Sequence, residues 1–246
     1  SDPERLTQTY LEQVHANQAF REVAEFFASV RYLHLVPQLV REPERCASRE
    51  GDPFGGDFLE QIARMPEKMR NARLKRIADA LRVAVPQLEQ LDLKRDAQGT
   101  PHLYGQHKHW RPRGARQTEV HFSDGTIRLF GLLWAVLDGA GPLLLEEPEM
   151  SLHPDVVRFI PQMFARIQRR YGRQLLISTH SSDFLRDEGI GLDEVLLLEP
   201  GEGTSITPAS SYEEIKHLLL GGSFLSDAVM PRTRPPKVEQ LMLFGD

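Results

Sequence analysis

Between His121 and Asp183 the chain reads HFSDGTIRLFGLLWAVLDGAGPLLLEEPEMSLHPDVVRFIPQMFARIQRRYGRQLLISTHSSD. At its centre Leu143, Leu144 and Leu145 form a continuous apolar run that follows Gly141-Pro142 and ends on Glu146-Glu147. Such a run suits a strand buried on both faces of a parallel sheet, and open α/β sheets hold ligands at the carboxyl ends of their strands. Two adjacent carboxylates there point to opposite sides, so one can face a metal ion while its neighbour faces an attacking water. Gln174–Ser178 predicts a second buried strand, ending on Thr179 and His180. An imidazole in that place can hydrogen-bond a phosphate oxygen or the water. Ser123-Asp124-Gly125 sets a hydroxyl and a glycine just ahead of Thr126–Leu137, which is apolar nearly all round. A buried helix with free N–H groups in its first turn is an anion site.

Each piece has a purely structural reading. A Ser-Asp pair before a helix is a common N-cap, a Glu pair at a strand end is a common solvated turn, and a strand-end histidine is commonly structural. The functional reading rests on their conjunction, in order, within about sixty residues and at one edge of the inferred sheet.

With these motifs in this order, residues 110–200 resemble the C-terminal half of an ABC-class AAA ATPase head. The type is that of structural-maintenance-of-chromosomes (SMC), RecF-like and OLD (overcoming lysogenization defect) proteins. FSDGT resembles the signature motif, LLLEEPE the Walker B strand with its catalytic glutamate, SLHP the D-loop and STHS the switch histidine. The resemblance implies a P-loop NTPase fold, α/β, with a central mostly parallel sheet flanked by helices and a helical and β-hairpin insertion. It further implies that Ser123 and Gly125, with Asp124 between them, bind the γ-phosphate of ATP held by the opposite protomer. Glu146 would hold Mg2+ mainly through water, Glu147 would orient or deprotonate the hydrolytic water, and His180 would sense the γ-phosphate. Ser151 and His153 fall in the D-loop at the dimer contact, and Gln38 is a candidate for the glutamine loop that senses the nucleotide metal. The expected assembly is a homodimer around ATP and Mg2+.

Departures from that pattern matter. Glu146 stands where the Walker B aspartate is usual, Asp124 replaces the second signature glycine, and no G-x-x-x-x-G-K-[ST] phosphate loop occurs in the chain. The chain also begins Ser1-Asp2-Pro3 without methionine. The expectation is that an N-terminal Walker A lobe lies outside this chain, which is then inactive alone. DNA-linked repair or phage defence is the role the resemblance implies, with an effector nuclease supplied elsewhere, because about sixty residues follow His180 and carry no clustered acidic motif. Two alternatives stand beside it: a non-hydrolysing dimerisation or regulatory scaffold, and a metal-dependent nuclease built on Glu146, Glu147 and Glu149.

At 246 residues, 40% hydrophobic and 26% charged, the chain can bury a core. A single cysteine, Cys46, excludes an internal disulfide framework and fits a reducing cytosol. No signal peptide opens the chain, and its longest apolar region, Leu129–Leu145, is broken by Asp138, Gly139 and Gly141. A cytoplasmic protein without a membrane partner is expected. The net charge of −5 conceals a basic stretch, since Pro66–Arg116 holds twelve Lys/Arg against five acids. Lys68, Arg73, Arg76, Arg111 and Arg113 are therefore candidates for contact with DNA or RNA. The competing reading is a solvated helix face.

Four parts are expected. Residues 1–42 lead in with a helix over Pro3–Val30 and a strand over Arg31–Val36; residues 43–116 form the insertion; 117–220 form the ATPase lobe; and 221–246 form a Pro-rich tail without regular structure. Within the insertion, Pro43–Gly56 reads as an exposed loop, Asp57–Val85 as a helix bent at Pro66, and Gln87–Lys94 with Pro101–Trp110 as a β-hairpin. His102, His107 and His109 lie on the second hairpin strand, but no Cys or carboxylate joins them at ligand spacing, so nucleic acid or the partner head is favoured there over a metal. Further on, Val195–Glu199 and Thr204–Pro208 predict paired strands, and Ser211–Leu220 a capped helix.

Overall fold

The computed structural model describes residues 20–44, 51–109, 115–201 and 203–244. They fall into two compact units, the first made of the described residues up to 152 together with 167–178, the second of 153–166 together with the described residues from 179 on. The architecture is α/β, as expected. Arg111 and Arg113, like most of the expected Pro3–Val30 helix, lie outside the described residues.

The first unit opens with α1 (Arg21–Ser29) and β1 (Arg31–Leu33), followed by α2 (Pro37–Arg41) with Pro37 in its first turn. β1 is shorter than the expected Arg31–Val36. Its continuation pairs instead with the next loop, through His34 N–H to Pro53 O and Val36 N–H to Phe54 O, both 2.9 Å. The single bent helix expected over Asp57–Val85 is two helices, α3 (Phe58–Arg64) and α4 (Glu67–Leu81). Proline disfavours helical geometry in the residue before it, and Met65 is extended at ψ 143°.

β2 (Leu88–Arg95) and β3 (Pro101–His107) form the expected antiparallel hairpin. A register irregularity between Leu88 and Gln90 accompanies the burial of Leu88, Leu91 and Leu93 together. These leucines lie with the buried stripe Leu74, Ile77, Ala78 and Leu81 of α4, which contacts β2. A third strand, β4 (Ala115–Thr118), pairs with β3.

α5 (Asp124–Leu137) buries Ile127, Phe130, Leu132, Leu133 and Trp134 among others, so it is covered on most sides. β5 (Leu143–Glu146) is the middle strand of a parallel sheet, between β1 and β6 (Leu175–Ser178). One expectation fails here. Tyr32, Leu144 and Leu176 are register partners on one face, and Tyr32 is 41% and Leu176 47% exposed. Only the opposite face, with Leu143 and Leu145, is well buried. Buried Arg173 ties the end of α5 to the start of β5 by donating to the carbonyls of Ala135, Asp138 and Gly141.

In the second unit, α6 (Pro154–Val157) is followed by α7 (Ile160–Tyr171), which passes into the first unit's residues at Ile167. β7 (Leu196–Pro200) and β8 (Thr204–Pro208) form the expected antiparallel pair. α8 (Glu213–Leu220) begins after Tyr212 without a side-chain cap, because Ser211 belongs to a 3-10 turn instead. The tail is more regular than expected. It contains α9 (Leu225–Val229), whose Leu225, Ala228 and Val229 are buried, and a 3-10 turn over Val238–Leu243. Leu241–Phe244 stays exposed. Among the described residues no helix is long and apolar enough to cross a membrane.

Candidate functional site

Ser123 caps α5, its Oγ accepting from Thr126 N–H at 3.1 Å and lying 2.8 Å from Thr126 Oγ1. The cap reading of this motif therefore holds, and the exposed hydroxyl still marks the open end of a long buried helix. Asp124 does not leave an unbalanced negative charge there. Arg41, at the end of α2, meets its carboxylate at 2.6 Å and donates to Phe122 O at 2.6 Å. Gln38 is exposed on the same short helix. α2 thus brings Arg41 to the signature motif.

Gly125 explains itself by steric contact. A Cβ built on it would lie 2.5 Å from the carbonyl oxygen of Ser151, a distance no side chain tolerates against backbone. The first turn of α5 and the turn after β5 are therefore packed backbone to backbone. Ser151 has φ 63° and Glu147 φ 42°, both in the left-handed region that non-glycine residues seldom enter. Two such residues four positions apart cost on the order of 1–3 kcal/mol each, and such strain clusters where function demands a fixed turn. The turn is held by Glu147 N–H to Ser178 O (3.0 Å), Met150 N–H to Glu147 O (3.1 Å) and Leu152 N–H to Glu149 O (3.0 Å).

The two carboxylates part company at this turn. Glu146, the last residue of β5, is exposed and accepts from the Tyr32 hydroxyl on β1, with His34 Nδ1 3.8 Å away. That hydrogen bond raises the Tyr32 pKa, with burial and the Glu146 charge adding to it. Glu147 follows the last residue of β5 with a left-handed backbone, so it does not continue the pleat of the strand. Glu147 is half-buried. Arg128, one helical turn into α5 from Asp124, is a cation that interacts with it: burial lowers the Arg128 pKa, and the charges of Asp124 and Glu147 oppose that shift. Its Nε makes no hydrogen bond among the described residues. An exposed hard-oxygen donor at a parallel strand's carboxyl end, with a second carboxylate beside it, fits a hydrated magnesium ion.

Tyr32 and Arg128 are the residues that sequence reasoning missed. Tyr32 is found only through the β1–β5 register, and Arg128 only through its spacing of four from Asp124 on α5.

His153 and His180 belong to the second unit. His153 caps α6, its Nδ1 accepting from Asp155 N–H at 3.2 Å. His180 is exposed between two hydroxyl-braced residues: Thr179 Oγ1 accepts from Ser181 N–H (3.0 Å), and Ser181 Oγ from Phe184 N–H (3.2 Å).

Of the basic candidates, Lys68 and Arg76 are exposed on α4, where Arg76 donates to Tyr171 OH at 3.0 Å. Arg73 is more committed, bonded to Asp138 at 2.7 Å and stacked 5.3 Å from the Trp134 ring.

No curated protein matches the chain. Among solved structures, a chain from work on "ATP-driven dimerization and DNA stimulated activation of SMC ATPases" is 12% identical with a TM-score of 0.44, over 68% of this chain and 96% of that one. An Smc head bound to the C-winged helix domain of ScpA is 11% identical with a TM-score of 0.43, over 70% of this chain and 48% of that one. An Smc head domain with an extended coiled coil, bound to the C-terminal domain of ScpA and derived from Pyrococcus furiosus, is 13% identical with a TM-score of 0.43, over 85% and 54%. The chain spans about half the length of these last two. Residues 14–187, well over half of the chain, match the family described as "AAA domain, putative AbiEii toxin, Type IV TA system". The chain, with a parallel sheet that carries two carboxylates at the end of its central strand and a serine-capped helix packed on the turn beyond them, belongs to this AAA-domain family.

Proposed function

We propose that the chain is the hydrolytic half of an ATPase head of the ABC type, in the OLD-like branch, acting as a homodimer. The observation that carries this reading is the left-handed turn at Glu147 and Ser151, which sets two carboxylates at the strand end and seats the next backbone on Gly125. Bound ATP with Mg2+ supplies the phosphoryl group and the positive charge that offsets its oxygens. Glu147 orients the attacking water and accepts its proton. Glu146, steadied by Tyr32, would hold the magnesium ion, and Gln38 would sense it. Ser123 and the first N–H groups of α5 face the γ-phosphate held by the second copy, with Gly125 in the same role; Arg41 balances the charge of Asp124. Ser151 and His153 line the dimer contact, and His180 senses the γ-phosphate. The phosphate-cradling Walker A loop comes from outside these 246 residues, so this chain is inactive by itself.

The proposed setting is cytoplasmic and DNA-linked, in repair or phage defence, with an effector nuclease as a separate partner. Lys68, Arg76, Arg111 and Arg113 are the proposed nucleic-acid contacts. Arg73 is the weakest member of that set, since Asp138 and Trp134 already engage it.

Mixing two inactive variants of the full-length gene product tests the sandwich. Ser123→Arg damages one side of each site and Glu147→Gln the other. In a mixed dimer one site recovers both intact residues, so ATP turnover is expected to return to roughly a quarter of the unmodified rate on statistical mixing. No recovery in a mixture shown to contain mixed dimers overturns the trans arrangement.

A further inference from the structure

Glu44, Asp96 and His102 are dispersed in sequence, yet one ligand atom from each lies within 4.8 Å of the other two. We propose that these three residues form a site for a divalent transition-metal ion of the zinc class, separate from the nucleotide carboxylates. At the centre of the cluster is the ring of His102, on β3. Its Nδ1 lies 2.7 Å from Oε1 of Glu119, and Glu119 is fully buried, with its other oxygen accepting Leu103 N–H at 2.8 Å. A carboxylate behind the ring sets the proton on Nδ1 and directs the Nε2 lone pair forward, which is the supporting arrangement of metal-bound histidines.

Ahead of that lone pair stand Asp96 and Glu44. Asp96, in the β2–β3 turn, spends Oδ1 on the N–H groups of Gln98 (2.9 Å) and Thr100 (2.8 Å), while Oδ2 lies 3.4 Å from His102 Nε2. A lone pair facing a carboxylate needs a cation between them, either a proton or a metal. A proton would draw the pair to about 2.7–2.9 Å, the length of a charge-assisted hydrogen bond. Ligand bonds of about 2.0–2.2 Å in a tetrahedral site instead set donor atoms about 3.4 Å apart, and 3.4 Å is the separation here. Exposed Glu44 offers the third ligand atom, within 4.8 Å of the other two.

The fourth corner is open to water. A cavity of about 680 Å³, lined in part by Glu44, Gln98, Gly99, Thr100 and Pro101, adjoins the cluster and gives an ion access. One imidazole with two carboxylates favours zinc and its first-row neighbours over magnesium, which prefers an all-oxygen shell that keeps several waters.

Titration of the metal-stripped 246-residue chain with Zn2+ against a chromophoric chelator tests the site. One equivalent per chain is expected, with affinity reduced at least tenfold in Glu44→Gln and in Asp96→Asn and unchanged in the distant His217→Asn. Glu119→Gln, behind the ring, is expected to weaken binding by about 10- to 100-fold. X-ray absorption of the loaded chain should give a single imidazole nitrogen with oxygen neighbours. Glu44 is exposed, so its variant separates ligand loss from unfolding, checked by circular dichroism. Absence of stoichiometric Zn2+ binding, survival of binding in both carboxylate variants, or an equal response to Mg2+ overturns the assignment. None of these outcomes bears on ATP hydrolysis.

Discussion

Glu119 and Glu147 stand on either side of the signature helix in sequence, and the fold treats them in opposite ways. Glu119 has no exposed surface, and both of its oxygens are engaged, one by His102 and one by Leu103 N–H. Glu147 is half-buried in a left-handed turn, with the partly buried Arg128 as an interacting cation and exposed Glu146 beside it. A carboxylate that is enclosed and satisfied stabilises. One that is held in a left-handed turn at an exposed strand end is the acid proposed to act on water. Burial and backbone geometry, more than residue type, separate the two roles.

Four substitutions test that contrast, taken from the largest expected effect on stability. Glu119→Gln removes the charge opposite His102 and is expected to cost about 3 kcal/mol in urea unfolding; a loss under about 1 kcal/mol would mean that Glu119 is not the structural acid. Gly125→Ala drives a methyl into Ser151 O and is expected to cost about 2 kcal/mol while loosening the Glu147 turn. If its melting temperature is unchanged, the packing of signature on D-loop is not as tight as described.

Glu60→Gln probes an acid between the two extremes. Two hydrogen bonds from Arg95, at 2.8 and 2.9 Å, hold the Glu60 pKa below the ordinary glutamate range, against the opposing effect of burial. A depressed folded pKa means that the pair's contribution, about 0.5 kcal/mol after solvent screening, is present above the unfolded value of about 4.3 and fades as pH falls through the folded one. The variant should lose that acid-side dependence, read from unfolding at a series of pH values. Glu146→Gln is expected to change stability least, within about 0.5 kcal/mol. A larger drop would class Glu146 with Glu119.

Much of the fold could be read from sequence because its signals are local. The leucine run gave β5, the all-round apolar stretch gave α5, and the turn after Arg95 gave the hairpin. What escaped lies between distant segments or carries no pattern. Ala115–Thr118 has no apolar alternation, so β4 was not foreseen. Nothing local says that the sheet face bearing Tyr32 and Leu176 is left open, since a continuous apolar run reads as buried on both sides. The same holds at the candidate site. Glu146, Glu147 and Ser123 stand out by motif, but Tyr32 reaches Glu146 across 114 positions and Arg41 balances Asp124 across 83. Gly125 was expected to serve phosphate, and the structure gives it a further reason, the approach of Ser151.

The most direct measurement is steady-state ATP turnover by the full-length gene product beside its Glu147→Gln variant, with both melting curves recorded. The account predicts a loss of at least about 100-fold in turnover, an unchanged melt, and an ATP-bound dimer that accumulates because it cannot hydrolyse. Turnover that survives Glu147→Gln, or an unmodified protein that neither binds nor hydrolyses ATP, contradicts it, and the chain would then be a dimerisation scaffold on an ATPase fold.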